Sequence, residues 1–105
     1  MRDQNMKKDM GKLRMELVPV SAIESLARVL TYGANKYEPE GWREVEPERY
    51  VGALLRHLCA YLKGQVYDHE SGLMHIEQVL CNAAFLNEFQ HGYVEETRCD
   101  IATEL

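Results

Sequence analysis

Apolar positions recur at helical intervals in three stretches of this chain. Ile23, Leu26, Ala27 and Leu30 form the first stripe, preceded by Ser21-Ala22-Ile23-Glu24, where a serine hydroxyl can accept a backbone N–H while the glutamate reaches back. That spacing predicts a first helix from Ser21 to Gly33 or shortly after it. Val51, Leu54, Leu58 and Tyr61 or Leu62 form the second stripe; Pro47 suits its first turn, where a missing N–H costs nothing, and Gly64 closes it. Val79, Ala83 and Leu86 form the third, with Ser71 as cap, an end near Phe89 to His91 and Gly92 as the stop. Residues 38–46, with Pro39 and Gly41, read as a loop. The tail 93–105 has weak periodicity and reads as a tail or short helix, and residues 1–11 read as flexible. No β alternation of useful length, internal repeat or low-complexity run interrupts this pattern. It predicts an all-α fold, a small bundle of three to four helices in one domain.

Composition changes that picture in one respect. A chain of 105 residues, 46% apolar and 28% charged, supports one modest core, and three helices of this size bury too little surface to stand comfortably alone. A homo-oligomer, dimer or higher, is the expected state. No apolar run approaches the roughly 20 residues needed to cross a bilayer, and the start is too polar for a secretory signal, so no membrane partner and a cytoplasmic location are expected. Three cysteines without C-x-x-C spacing indicate neither a disulfide framework nor a structural zinc site; Cys59 and Cys81 read as small buried hydrophobes. The net charge of −5 argues against broad nucleic-acid binding but leaves a small anion open.

Candidate chemistry gathers around the connection between the second and third helices. His57 shares a face with Tyr50, Ala53, Leu54 and Tyr61, so it points into packing, either as a satisfied core histidine or as part of a site. His75, Gln78 and Asn82 fall at i, i+3 and i+7 and make a polar stripe, either a solvated edge or the other half of a shared seam. Unpaired burial of such groups costs on the order of 1–3 kcal/mol each, which favours the seam. Asp68 and Glu70 are either solvated loop acids or oxygen ligands for a hard divalent cation. Gly72 permits a turn and would also let an anion approach backbone N–H groups at a helix start. Tyr32, Tyr37, Trp42 and Tyr50 lie near Lys36, Arg43 and Arg49, a mixture suited to stacking a base while contacting phosphates, with core or oligomer packing as the alternative.

An ordered set of residues then carries a resemblance. Gly11-Lys12-x-Arg14, Leu17-x-Pro19, Ala27-x-Val29, Tyr32-Gly33-Ala34-x-Lys36-Tyr37, Trp42-Arg43, Tyr50, Ala53-x-x-Arg56-His57, Gly64, Asp68-x-Glu70-Ser71-Gly72-x-x-His75 and Asn82, spread over residues 11–90, together resemble the phage-associated family called dATP/dGTP diphosphohydrolase, N-terminal domain. The resemblance implies nucleotide chemistry akin to that of the all-helical MazG-type enzymes, which remove pyrophosphate from nucleotides using magnesium or manganese. Two departures stand out. The E-x-x-E and E-x-x-D carboxylate pairs of MazG-type enzymes are missing from the second and third helices, and Gln78 stands where relatives carry a second histidine.

The leading expectation is a nucleotide-binding protein acting as a metal-dependent (d)NTP pyrophosphohydrolase on purine nucleotides. Glu70 and His57 are its candidate catalytic groups, and Asp68, Glu70, His57 and His75 its candidate ligands for Mg²⁺ or Mn²⁺, with histidine favouring manganese or a later metal. Lys12, Arg14, Lys36 and Arg56 are assigned to the nucleotide's phosphates and Tyr37 or Trp42 to its base, and Arg43, Gln78 and Asn82 are further candidate nucleotide-binding residues. The alternative is a non-catalytic sponge that sequesters a nucleotide immune signal in a cation- and aromatic-lined pocket and requires no metal. A purely structural seam is the third reading. An HD-type phosphohydrolase is disfavoured, since the chain has Asp68-His69 and no His-Asp dipeptide.

Overall fold

The structure is a computed structural model that describes residues 11–36 and 38–104, with side chains through Glu95. Residues 1–10, most of the segment read as flexible, lie outside the described residues, as does Tyr37. Among the described residues three α-helices make up the fold, all-α as expected: α1 (Val20–Lys36), α2 (Pro47–Leu62) and α3 (His75–Glu104). Short 3₁₀ turns at Met15–Leu17 and Gly41–Glu44 precede α1 and α2. The helix α3 is the spine, about 45 Å long at 1.5 Å per residue, and α1 and α2 each pack along it. Among the described residues no helix is long and apolar enough to cross a membrane.

Helix ends follow local chemistry, in some places differently from the expectation. Pro47 occupies the first turn of α2, as the missing donor requires, and Gly64 at φ +86° closes that helix, its N–H bonded to the Tyr61 carbonyl at 2.9 Å. The first helix starts at Val20, so Ser21 lies inside the opening turn instead of capping it, and the helix continues to Lys36. The larger correction concerns Ser71. The chain from Val66 to His75 folds back on itself: the Asp68 N–H reaches the Leu73 carbonyl and the His75 N–H the Val66 carbonyl, both at 2.8 Å, with Tyr67 opposite Met74 in an antiparallel bridge. Gly72 at φ +76° permits that fold-back. This clasp delays the start of α3 by three residues, to His75. At its far end α3 passes through Gly92, because one glycine costs only about 1 kcal/mol of helix propensity and no Pro or turn sequence follows to exploit it.

Burial is unusual. Among the described residues, the buried apolar side chains are Val29 and Cys81, whereas His75, Glu77 and Asn82 are buried polar groups. Desolvation pushes the Cys81 thiol up to about 11, so it acts as a small hydrophobe. Cys59, expected to be its buried counterpart, is exposed, because it falls on the side of α2 turned away from α3. The remaining apolar packing consists of half-buried aliphatic side chains, among them Leu54, Leu58, Leu80 and Leu86, and a half-buried aromatic cluster. Phe85 of α3 stacks on Trp42 with centroids 4.5 Å apart and meets Tyr50 at 4.7 Å, while Phe89 lies 5.7 Å from Trp42. The Tyr50 hydroxyl donates to the Trp42 carbonyl at 2.8 Å and fixes the 3₁₀ turn onto α2.

Candidate functional site

Two neighbouring features make up the site: a polar seam where α2 meets the start of α3, and an open cleft between α1, the 3₁₀ turn and α3. In the seam, His57 and His75 face each other with Nδ1 to Nδ1 at 2.8 Å. One ring must donate and the other accept, so the pair carries at most one positive charge while that bond lasts. Burial is the main cause that lowers the pKa of His57; His75 and Arg56 lower it further, and Asp68 opposes them.

The clasp holds Asp68 beside this pair. Burial works against its charge, but the Ser71 hydroxyl, which donates to Oδ2 at 2.9 Å, the Glu70 N–H and the two imidazoles outweigh it, and the carboxyl ends below its ordinary value. Asp68 is therefore a carboxylate at neutral pH. The Gln78 amide donates to the Ser71 hydroxyl at 3.4 Å, so a chain of polar contacts runs from Gln78 through Ser71 to Asp68.

Glu77 is the group that sequence reasoning missed. It is 3% exposed, accepts the Met74 N–H at 3.1 Å as the third residue of α3 and forms an ion pair with Arg28 of α1. Burial disfavours its charge, yet Ser25, the Met74 amide and Arg28 together lower its pKa. Glu77 thus caps the helix that carries His75 and ties it to α1. Its carboxylate occupies the anion position at the start of α3, and the Gly72 N–H is spent on the Asp68 carbonyl, so an anion is not received there. The signal in the sequence is an acid three residues after Met74, legible only once the helix start is placed at His75.

The cleft has a volume of about 900 Å³. Val29, Tyr32, Gly33 and Lys36 supply one wall, at i, i+3, i+4 and i+7 of α1, and Trp42, Tyr50 and Phe85 supply the aromatic floor. Lys36, Arg49, Glu38 and Gln78 are its charged and polar members. Gln78 belongs to both features and joins the cleft to the clasp. The stacking platform differs from the expectation in one respect: Trp42 is stacked on Phe85 and carries the Arg43 guanidinium 4.4 Å from its ring centroid, so its π surface is already engaged. Tyr32 lines the cleft with the Lys36 ammonium 5.9 Å from its centroid.

The other expected site residues are distributed unevenly. His57, His75 and Asp68 come together, but Glu70 is 80% exposed and turned toward Lys36, 3.7 Å away. Arg43 pairs with Glu40, and Arg14 with Glu16 at 2.9 Å. Lys12, Arg14 and Arg56 are exposed and none lines the cleft. Asn82 is buried and donates to the Gln78 carbonyl at 2.7 Å, a bond within α3. Among the described residues, no three His, Cys, Asp or Glu side chains are grouped so as to hold an ion. Two of the acids, Glu70 and Glu77, are instead held in ion pairs with Lys36 and Arg28.

Comparison with known proteins bears on this arrangement. The family described as dATP/dGTP diphosphohydrolase, N-terminal, matches residues 2–98. A protein of Salmonella phage PMBT28 named dATP/dGTP diphosphohydrolase is 32% identical over 78 residues, which cover 74% of this chain and 27% of that protein. The aligned part is thus about a quarter of that relative's length. No solved structure matches the chain.

Proposed function

Because the chain belongs to the dATP/dGTP diphosphohydrolase, N-terminal family, we propose that it recognises a purine deoxynucleoside triphosphate and converts it to the monophosphate and pyrophosphate. The observation that carries this reading is the cleft: about 900 Å³, aromatic on its floor, with Lys36 and Arg49 as its cations. That volume lies in the range of small-molecule sites, and the chemistry suits a flat base beside a phosphate chain. Tyr32 offers the base a ring face, Trp42 and Phe85 form the apolar wall, and Lys36 and Arg49 neutralise phosphate oxygens. An arriving phosphate competes with Glu70 for Lys36. That exchange frees the carboxylate at the moment of binding.

Hydrolysis requires water to add at the α-phosphorus while the bond to the bridging oxygen breaks and pyrophosphate departs. The His57–His75 pair is the group suited to take the proton of that water, since one imidazole nitrogen is already committed to its neighbour and Asp68 favours the resulting positive charge. The polar contacts from Gln78 through Ser71 to Asp68 link this pair to the cleft wall.

A specific observation favours a second reading, the sponge. Glu70 and Glu77 are both held in ion pairs, and a cleft with two cations can retain a nucleotide without cleaving it. One experiment separates the two. Incubate the protein with dATP, dGTP and other nucleotides, with Mg²⁺ or Mn²⁺, and determine by mass analysis what is released. Pyrophosphate and a monophosphate support the enzyme, and His57→Gln should then abolish most turnover while leaving affinity within about tenfold. Intact nucleotide recovered after denaturation supports the sponge. Failure to retain or alter any nucleotide contradicts both.

A further inference from the structure

The helix α2 has two apolar faces and only one of them is covered. Its inner face carries Tyr50, tilted against Phe85, and His57, against His75. At 100° per residue, Val51, Leu55 and Leu62 lie together on the outer face, with Cys59 at its edge. Val51 is 44% exposed, Leu55 53% and Leu62 73%. The other helix, α1, packs on α3 and leaves this stripe uncovered. Scattered exposed leucines are ordinary, but three large aliphatic side chains in one line over three turns are not.

We propose that the outer face of α2 is a homodimer interface, in which a second copy of this chain lies antiparallel across it about a two-fold axis near Leu55. The charges at the two ends of the stripe select that occupant. Glu48 stands seven residues before Leu55 and Lys63 eight after it, and both are exposed. A two-fold axis at Leu55 therefore sets Glu48 against Lys63 of the partner subunit twice over, while Leu55 packs on its own symmetry mate and Val51 approaches Cys59 of the partner subunit. A parallel pairing would bring like charges together. The antiparallel pairing also opposes the two helix dipoles. Self-complementarity of this kind is what an isologous interface requires of one surface patch. The sparse interior gives the pairing its driving force, since the single chain buries only Val29 and Cys81 as apolar side chains among the described residues. The interface involves no ligand and stands independently of the nucleotide reading.

Light scattering and sedimentation of the 105-residue chain from about 1 to 100 μM test the proposal. The expected mass is twice 12.1 kDa or an even multiple of it. Leu55→Arg should raise the dimer dissociation constant at least about thirtyfold, the loss of a central contact. Far-UV circular dichroism checks that the helices persist. Should that variant unfold, the end charges decide: Glu48→Lys and Lys63→Glu should each weaken association by about fivefold or more, and the two together should restore it. In a Cys59→Ser background, Leu55→Cys should give a disulfide-linked dimer on mild oxidation. A mass of 12.1 kDa throughout overturns the proposal, including the case in which a different protein covers this face. An oligomer that is indifferent to the charge reversals and does not cross-link through Leu55→Cys overturns it as well.

Discussion

The seam between α2 and α3 and the outer face of α2 invert the usual arrangement of a small domain. Inside, His75, Glu77 and Asn82 are buried; outside, Leu55 and Leu62 are more than half exposed. The buried polar groups are satisfied. His75 faces His57, Glu77 pairs with Arg28 and caps α3, and no buried side-chain nitrogen or oxygen among the described residues lacks a partner. Such a network fixes geometry more than it adds stability, because the desolvation of charged groups offsets much of what their contacts return. The exposed leucines have the opposite character: they specify nothing within the chain and offer association energy to whatever covers them.

This contrast orders the expected effects of substitution. The largest is in the aromatic cluster of the apolar interior. Phe85→Ala removes the ring on which both Trp42 and Tyr50 rest and should cost about 3 kcal/mol in urea denaturation, the low end for a phenylalanine because the site is half-buried. Next is Glu77→Ala, at about 2 kcal/mol. It uncaps α3 and strands Arg28, which is half exposed and can turn to water, so the cost falls short of that for a fully buried pair. A loss below about 0.5 kcal/mol would mean that Glu77 does not hold α1 to α3.

A pH effect of intermediate size follows from His57. Its folded pKa is depressed, chiefly by burial, so the unfolded chain takes up the proton more readily. Its contribution to stability is therefore complete above the unfolded value near 6.5 and is lost as the pH falls through the lower folded value. Asp68 and Glu77, also depressed, contribute in the same direction further down the scale, below about pH 4. Thermal unfolding should show Tm falling from pH 7 to pH 5, and His57→Gln should flatten that fall. An unchanged slope would place the titrating group elsewhere. The smallest effect is Leu62→Ser, expected to change the stability of the dilute monomer by less than about 0.5 kcal/mol. A loss as large as that of Phe85→Ala would erase the distinction between inner and outer faces.

The sequence made some of this architecture legible and hid the rest for identifiable reasons. Pro47 and Gly64 mark the ends of α2 because each acts through its own backbone. Ser71 misleads because its hydroxyl has a competing local use, bonding Asp68 and the Leu73 N–H within the clasp. Gly92 misleads because a glycine stops a helix only where a turn competes with it. The approach of His57 and His75 is readable from their faces and the short connection between their helices. Glu70 is not, since the fold-back of the clasp turns its side chain toward Lys36, away from the histidines. The cleft wall on α1 follows helical spacing from Val29 to Lys36, but the ring contacts of Phe85 depend on how helices cross, which periodicity does not encode.

Titrating the intrinsic fluorescence of Trp42 with dATP and dGTP tests the nucleotide-binding claim most directly, because Trp42 is the single tryptophan and lines the proposed cleft. A saturable change with either nucleotide is predicted, weakened by added salt and shifted to at least about tenfold higher Kd by Arg49→Ala. Fluorescence that fails to saturate up to millimolar nucleotide, or binding that Arg49→Ala leaves unchanged, would contradict it.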